Sequence, residues 1–232
     1  MRDIRVITPD DLGDGIVWNE QTKKYEVSQN GGSSYPAAVG LRMKEGGTAL
    51  AIGLDAVPSL NISVCGMIFE NTRGCLCGMR DNSNVAATRM SMRLLGVSKK
   101  VQWQVEGTNT EIYQGDEFPT LDQDLFEPRI WNYNRQLLQC TDLQGNIRGQ
   151  TTMYRPRANI SYIPTNLNLF GDVTQDTDFI NCVIWWVKTT SYEGILQRHL
   201  VPNYKDGVWG FLDIVNVGDF YGSEFLEPYQ LG

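Results

Sequence analysis

Histidine is almost absent from this 232-residue chain: His199 stands alone. That excludes zinc sites built on several imidazoles and leaves one ring at most for acid–base work. Long apolar runs are missing as well. The longest, residues 182–187 (CVIWWV), is six residues, whereas a membrane helix needs about twenty. The opening MRDIRVITPDD holds no apolar stretch of signal-peptide kind, so no export by that route is expected. Positive charge is in deficit, with 20 Lys and Arg against 27 Asp and Glu, a net charge of −7 and a pI near 4.8. An acidic chain has no general field for phosphate backbones or anionic lipid, which argues against nucleic-acid binding and membrane insertion. The five cysteines are odd in number and lack paired CxxC spacing, since Cys75 and Cys77 are separated by one residue. They are expected to be reduced, buried thiols and not a zinc site.

What is present suits strands and turns. Gly numbers 23, aromatics make up 10%, and charged residues only 20%. Aromatic and β-branched side chains fit a pleated, half-buried surface. At about 100–200 residues per domain the length predicts one sizeable domain, or one with an appendage. From about residue 58 the dominant period is two. In KKVQWQVEG, Val101, Trp103 and Val105 share one face and Gln102 and Gln104 the other. Leu167 and Leu169 alternate with Asn166 and Asn168 in the same way. Residues 61–69 (NISVCGMIF) and 179–190 (FINCVIWWVKTT) are apolar on both faces, as central strands of a two-layer sandwich would be. Good helix formers in VAATRMSMRLLG compete with a period-two pattern, and the alternation favours a strand. Turn signals recur at Asp81-Asn82, Glu106-Gly107, Gly171-Asp172, Asp206-Gly207 and Gly218-Asp219. Together these predict an all-β, two-sheet antiparallel sandwich of jelly-roll type.

The first fifty residues differ. Two strand-sized pieces, GIVW and KYEV, flank the polar NEQTK, and the Gly-rich NGGSSYPAAVG follows. So short a piece cannot enclose a core of its own. Either it is the first hairpin of the domain, or it is an arm completed by copies of itself or by another protein. In the second case Ile16, Val17, Trp18 and Tyr25 would lie at the contact. The boundary is expected near residue 50, with the sandwich over residues 51–232.

The most specific stretch is C-terminal. It comprises IPTNLNLFGD (residues 163–172) and then FINCVIWWVKTTSYEGILQRHLVPNYKDGVWGFLDIVNVGDFYGSEF (residues 179–225). In order and spacing it resembles the end of the concanavalin A-like (LamG-like) jelly-roll domains of tailed-phage structural proteins. The matching residues are Ile163, Pro164, Leu169, Phe170, Val183, Ile184 and Trp186, then Arg198, Leu200, Val201, Pro202 and Gly207. Gly210, Asp213, Asn216, Phe220, Tyr221 and Phe225 complete the match. LGDGIVWNEQTKKYEVS (residues 12–28) is similar to attachment or trimer-forming segments of phage tail-fibre, spike and head-fibre proteins. The resemblance implies a virion appendage: an arm bound to capsid or tail proteins, a homo-oligomer with a trimer favoured, and a jelly roll that contacts host surface glycan. Localisation on the virion and no cofactor go with it. Bacterial glycan-binding modules share this fold and offer the first alternative, with a glycoside hydrolase that lost the usual carboxylate spacing the second.

Residue chemistry gives little sign of catalysis. Glucanases of this fold array carboxylates along one strand, and a retaining pair must stand about 5–5.5 Å apart. Asp122, Asp124 and Glu127 in TLDQDLFEP, and Asp176 and Asp178, are the nearest candidates, and they read as solvated turn carboxylates. No GxSxG elbow accompanies His199. No EF-hand string or nucleotide fingerprint occurs, which leaves acidic turns as the only oxygen ligands calcium could use. For a glycan, Trp131 and Tyr133 in RIWNYNRQ and Tyr154 in MYRPR are the candidate loop-borne stacking aromatics, although aromatics in strands more often pack in the core or between subunits. Trp185 and Trp186, being adjacent, are expected on opposite faces of their strand. Pro202 is expected to end the pairing of LQRHLVP.

Overall fold

The computed structural model describes residues 16–19, 24–27, 39–55, 60–69, 73–80, 89–95, 100–106, 112–114, 118–119, 127–134, 137–152, 166–171, 181–191 and 193–230. Among them every regular element is a strand, and the sheets are antiparallel. β1 (Ile16–Asn19) and β2 (Lys24–Val27) pair only with each other, with Trp18 opposite Tyr25 and Ile16 opposite Val27. The seven-stranded sheet runs β10 (Phe118–Pro119), β8 (Lys100–Glu106), β7 (Arg89–Leu95), β6 (Arg73–Arg80), β14 (Asn166–Leu169), β4 (Leu50–Asp55), with β9 (Ile112–Gln114) beside β8. The ten-stranded sheet runs β13 (Ile147–Thr152), β12 (Leu137–Thr141), β11 (Arg129–Asn134), β5 (Asn61–Ile68), β15 (Cys182–Thr190), β16 (Leu196–Lys205), β17 (Val208–Asp213), β18 (Phe220–Ser223). Its remaining strands, β3 (Gly40–Met43) and β19 (Leu226–Tyr229), pair with each other, and β3 also pairs with β15.

Alternation fills the space between the sheets. Ile52, Cys77, Met79, Met92, Leu167 and Leu169 come from the smaller sheet. They meet Leu41, Ile62, Val64, Trp131, Tyr133, Ile184, Val187, Leu200 and Phe211 from the larger. The two strands expected to be central, β5 and β15, lie side by side in the larger sheet. Because their far faces are also apolar, a second cluster forms there from Cys65, Met67, Ile130, Val183, Trp185, Trp186, Val201 and Ile214. All five cysteines are free and buried. Burial holds the Cys65 and Cys77 thiols up at about 12, where thiolate is scarce.

Three expectations are revised. First, the boundary near residue 50 falls inside the sandwich. β3 inserts between β15 and β19, and Leu41 is fully buried in the main core, so residues 40–50 belong to the jelly roll. Second, Trp185 and Trp186 do not take opposite faces. The β5–β15 register shifts between Ile184 and Trp186, so the extra residue of a β-bulge puts both indoles in the second cluster. Third, Pro202 does not end β16, which continues with Pro202 opposite Phe211. His199 turns its N–H and C=O towards the end of β17, so by alternation Pro202 turns its nitrogen to the other side. There the pairing with β15 has already stopped, its last pair being Val187 with Leu200, and the missing donor costs no ladder bond. The ambiguous residues 89–95 are a strand, as their alternation predicts.

Candidate binding edge at the β16–β17 hairpin

β16 and β17 are joined by a two-residue turn at Asp206 (φ 52) and Gly207 (φ 88). Positive φ at both central residues is the tight hairpin turn whose twist matches that of the strands, and Asp-Gly supplies it at low cost. The turn fixes the register so that Lys205 faces Val208 and Tyr204 faces Trp209. The two rings stand 5.2 Å apart, tilted by 53°. Trp209 is half-buried against the main core, while Tyr204 is 58% exposed. A ring seated on the core beside a ring in water makes a stiff, amphipathic platform. On the opposite face of the hairpin, Phe220 lies over Gly210 and Gly222. A Cβ at either glycine would come within 2.6 Å of that ring. The Lys205 ammonium sits 5.7 Å from the Phe220 centroid.

The base of the hairpin is a buried ionic node. Asp213 has no exposure. Its Oδ1 accepts the backbone N–H groups of His199 (3.2 Å) and Val215 (3.0 Å). Its Oδ2 accepts from Arg198 (3.2 Å) and Asn216 (2.8 Å). A second Arg198 nitrogen donates to the Gly53 carbonyl (3.2 Å), which ties β16 to β4 in the other sheet. Gly53 has φ +61, and a Cβ there would lie 3.2 Å from the Tyr221 ring, so this approach of the sheets needs glycine. Burial lifts the Tyr221 phenol above its ordinary range, with Arg198 opposing. Behind the node, on the far face of the sheet, His199 is buried edge-on to Trp186, with ring centroids 6.4 Å apart. Burial lowers its imidazole to about 3, with Lys188 adding to the shift and Asp213 opposing it. Lys188 lies over Trp186 at 4.9 Å, and burial lowers its ammonium too.

The aromatics singled out for glycan stacking are placed elsewhere. Trp131 and Tyr133 are not exposed: each is 1% accessible, on the inner face of β11 between β5 and β12. Their polar neighbours Asn132 and Asn134 take the other face, and that alternation marks a half-buried strand, not an exposed loop. Tyr154 lies outside the described residues. Ile16, Val17, Trp18 and Tyr25 occupy register positions in the β1–β2 hairpin, and their side chains are outside the described set. Of the carboxylates, Glu127 is exposed and pairs with Arg129 at 2.6 Å, while Asp122, Asp124, Asp176 and Asp178 are not described. Among the described residues no group of three or more His, Cys, Asp or Glu could hold a metal ion, and no helix is long and apolar enough to cross a membrane. The Tyr204–Trp209 pair was within reach of the sequence. A two-residue Asp-Gly turn makes the residues two positions either side of it cross-strand neighbours.

No family model matches the chain, and no curated protein matches it by sequence. Several solved structures are similar in shape. Domains LG4-5 of the mouse laminin alpha1 chain align with a TM-score of 0.50 and 15% identity, over 90% of this chain and 50% of that one. The native heptameric SAP-like pentraxin from Limulus polyphemus aligns with a TM-score of 0.43 and 9% identity, over 83% of this chain and 95% of that one. This chain therefore spans about half the length of the laminin fragment. The laminin likeness, with the two antiparallel sheets, gives the chain the concanavalin A-like jelly-roll fold.

Proposed function

We propose that this chain is a non-enzymatic display protein, a structural appendage of a tailed-phage particle whose jelly roll meets host surface glycan through Tyr204 and Trp209. The observation that carries the binding half is the hairpin pair itself: one ring anchored on the core and one 58% exposed, held in fixed register. Stacked pyranose faces need such apolar, pre-organised surfaces, and rings with few rotamers lose little entropy on binding. The appendage half is supported by sequence: the phage-type pattern over residues 163–225 and the fibre-type pattern over residues 12–28. The net charge of −7 favours a neutral glycan, bound by stacking and hydrogen bonds with little dependence on salt.

The test is binding of the full chain to an array of neutral hexose polymers and purified bacterial surface polysaccharides. Tyr204→Ala removes an exposed side chain, so it should leave stability within about 0.5 kcal/mol. Binding should nonetheless fall at least tenfold, and Trp209→Ala should lower it further. Unchanged binding in both variants would sink the proposed edge. Immunogold labelling of phage particles decides the setting, and label confined to a bacterial surface would favour a bacterial glycan-binding module instead.

A further inference from the structure

His199 is the chain's only histidine, and its ring is buried. Its Nδ1 is buried without a hydrogen-bond partner. The cation facing it is Lys188, its cross-strand neighbour on β15. Cys65 on β5 interacts electrostatically with that lysine, but its thiol is held neutral by burial. From the end of β17 the nearest anion is Asp213, whose oxygens already take four donors: the His199 and Val215 backbone N–H groups, Arg198 and Asn216. Arg198, next along β16, also faces Asp219 at 3.7 Å. With four donors already in place, the Asp213 carboxylate has no lone pair left to offer an imidazolium. The same residue fastens the corner through its backbone: its N–H bonds Asp213, and its C=O takes the Ile214 N–H at 2.9 Å.

We propose that His199 is an acid-sensitive latch: neutral, it holds the base of the β16–β17 hairpin to the loop 213–219, and protonation releases the two. The inference is independent of any glycan at the hairpin. The direction follows from linkage. The folded imidazole titrates near 3, well below its ordinary 6.5, so the unfolded chain takes up the proton first. The contribution is fully present above about 6.5 and is lost as pH falls towards about 3. In that window the folding constant should drop about tenfold per pH unit from this group alone.

Because there is one histidine, its ring-proton NMR signal is unambiguous. In the folded full-length chain it should not titrate near 6.5, and amide exchange over residues 213–219 should accelerate as the solution is acidified. His199→Phe, which keeps a ring, and His199→Leu should lose markedly less stability over the same pH range. A folded-state titration near 6.5, or a parallel acid loss in the wild type and either folded variant, would overturn the latch. If neither variant folds, the ring titration and the exchange data decide alone.

Discussion

At the residue scale, Asp213 bears the heaviest structural duty. It is fully buried, it neutralises an Arg198 that is itself mostly covered, and it receives two backbone donors that have no other partner in the corner. Replacing it leaves a mostly covered guanidinium with only the half-exposed Asp219 at 3.7 Å, and removing one partner of a buried pair costs about 3–5 kcal/mol. Asp213→Ala is accordingly expected to lower the unfolding free energy by that amount, with Arg198→Met less damaging because the Asp213 carboxylate still accepts from two backbone N–H groups and Asn216. Equilibrium unfolding of the two variants checks the order. The sequence singles out Asp213 and Asn216 within the C-terminal resemblance, and Asp213 accepts from Val215 two residues on, as a turn-forming Asp does. It could not show that the same carboxylate joins residues 198, 199 and 216, since those contacts depend on the β16–β17 register.

At the scale of elements, strand type was legible and strand facing only partly so. β5, β8, β14 and β15 stand where alternation or continuous apolar runs put them. Period two identifies which residues share a face, yet the inner face is chosen by whatever lies opposite. In RIWNYN the two aromatics and the two asparagines alternate, and the aromatics went inward because the seven-stranded sheet covers that face. A bulge breaks the arithmetic altogether, as Trp185 and Trp186 show. Close packing adds constraints of its own at β17 and β18. A Cβ on Gly210 would sit 2.4 Å from the Tyr221 carbonyl oxygen and 2.6 Å from the Gly222 Cα. Backbone cannot retreat as a side-chain tip can, so Gly210→Ala should part the two strands and cost about 1–3 kcal/mol, the usual penalty of overpacking. Faster amide exchange at residues 220–223 is the specific readout, and protection unchanged from wild type would contradict it.

For the whole molecule, the limits of the sandwich matter most. β3 precedes the sequence-based boundary and supplies Leu41 and Met43 to the main core. A chain lacking residues 1–38 is expected to keep the unfolding midpoint of the sandwich. Removing residues 1–50 deletes β3 and the start of β4, and with them buried side chains worth about 2–5 kcal/mol each, so that chain should not fold. Thermal unfolding of both truncations separates the cases. The shorter deletion also tests the proposed arm: if residues 16–27 hold an assembly together, the full chain should sediment as a trimer and the chain lacking residues 1–38 as a monomer.

The sequence by itself determined the class of fold, because alternation, turn chemistry and scarce charge are local properties that survive any arrangement of strands. It also determined that the cysteines would be reduced and buried and that Asp206-Gly207 would be a turn, while the register of Tyr204 on Trp209 came from the structure. Only the tertiary structure decided which aromatics meet solvent, where the sandwich begins and what surrounds the lone histidine. Each of those depends on residues far apart in the chain. Burial of Trp131 requires the opposite sheet, the place of Leu41 requires β15 and β19, and the environment of His199 requires Lys188 and Asp213 to arrive from two neighbouring strands.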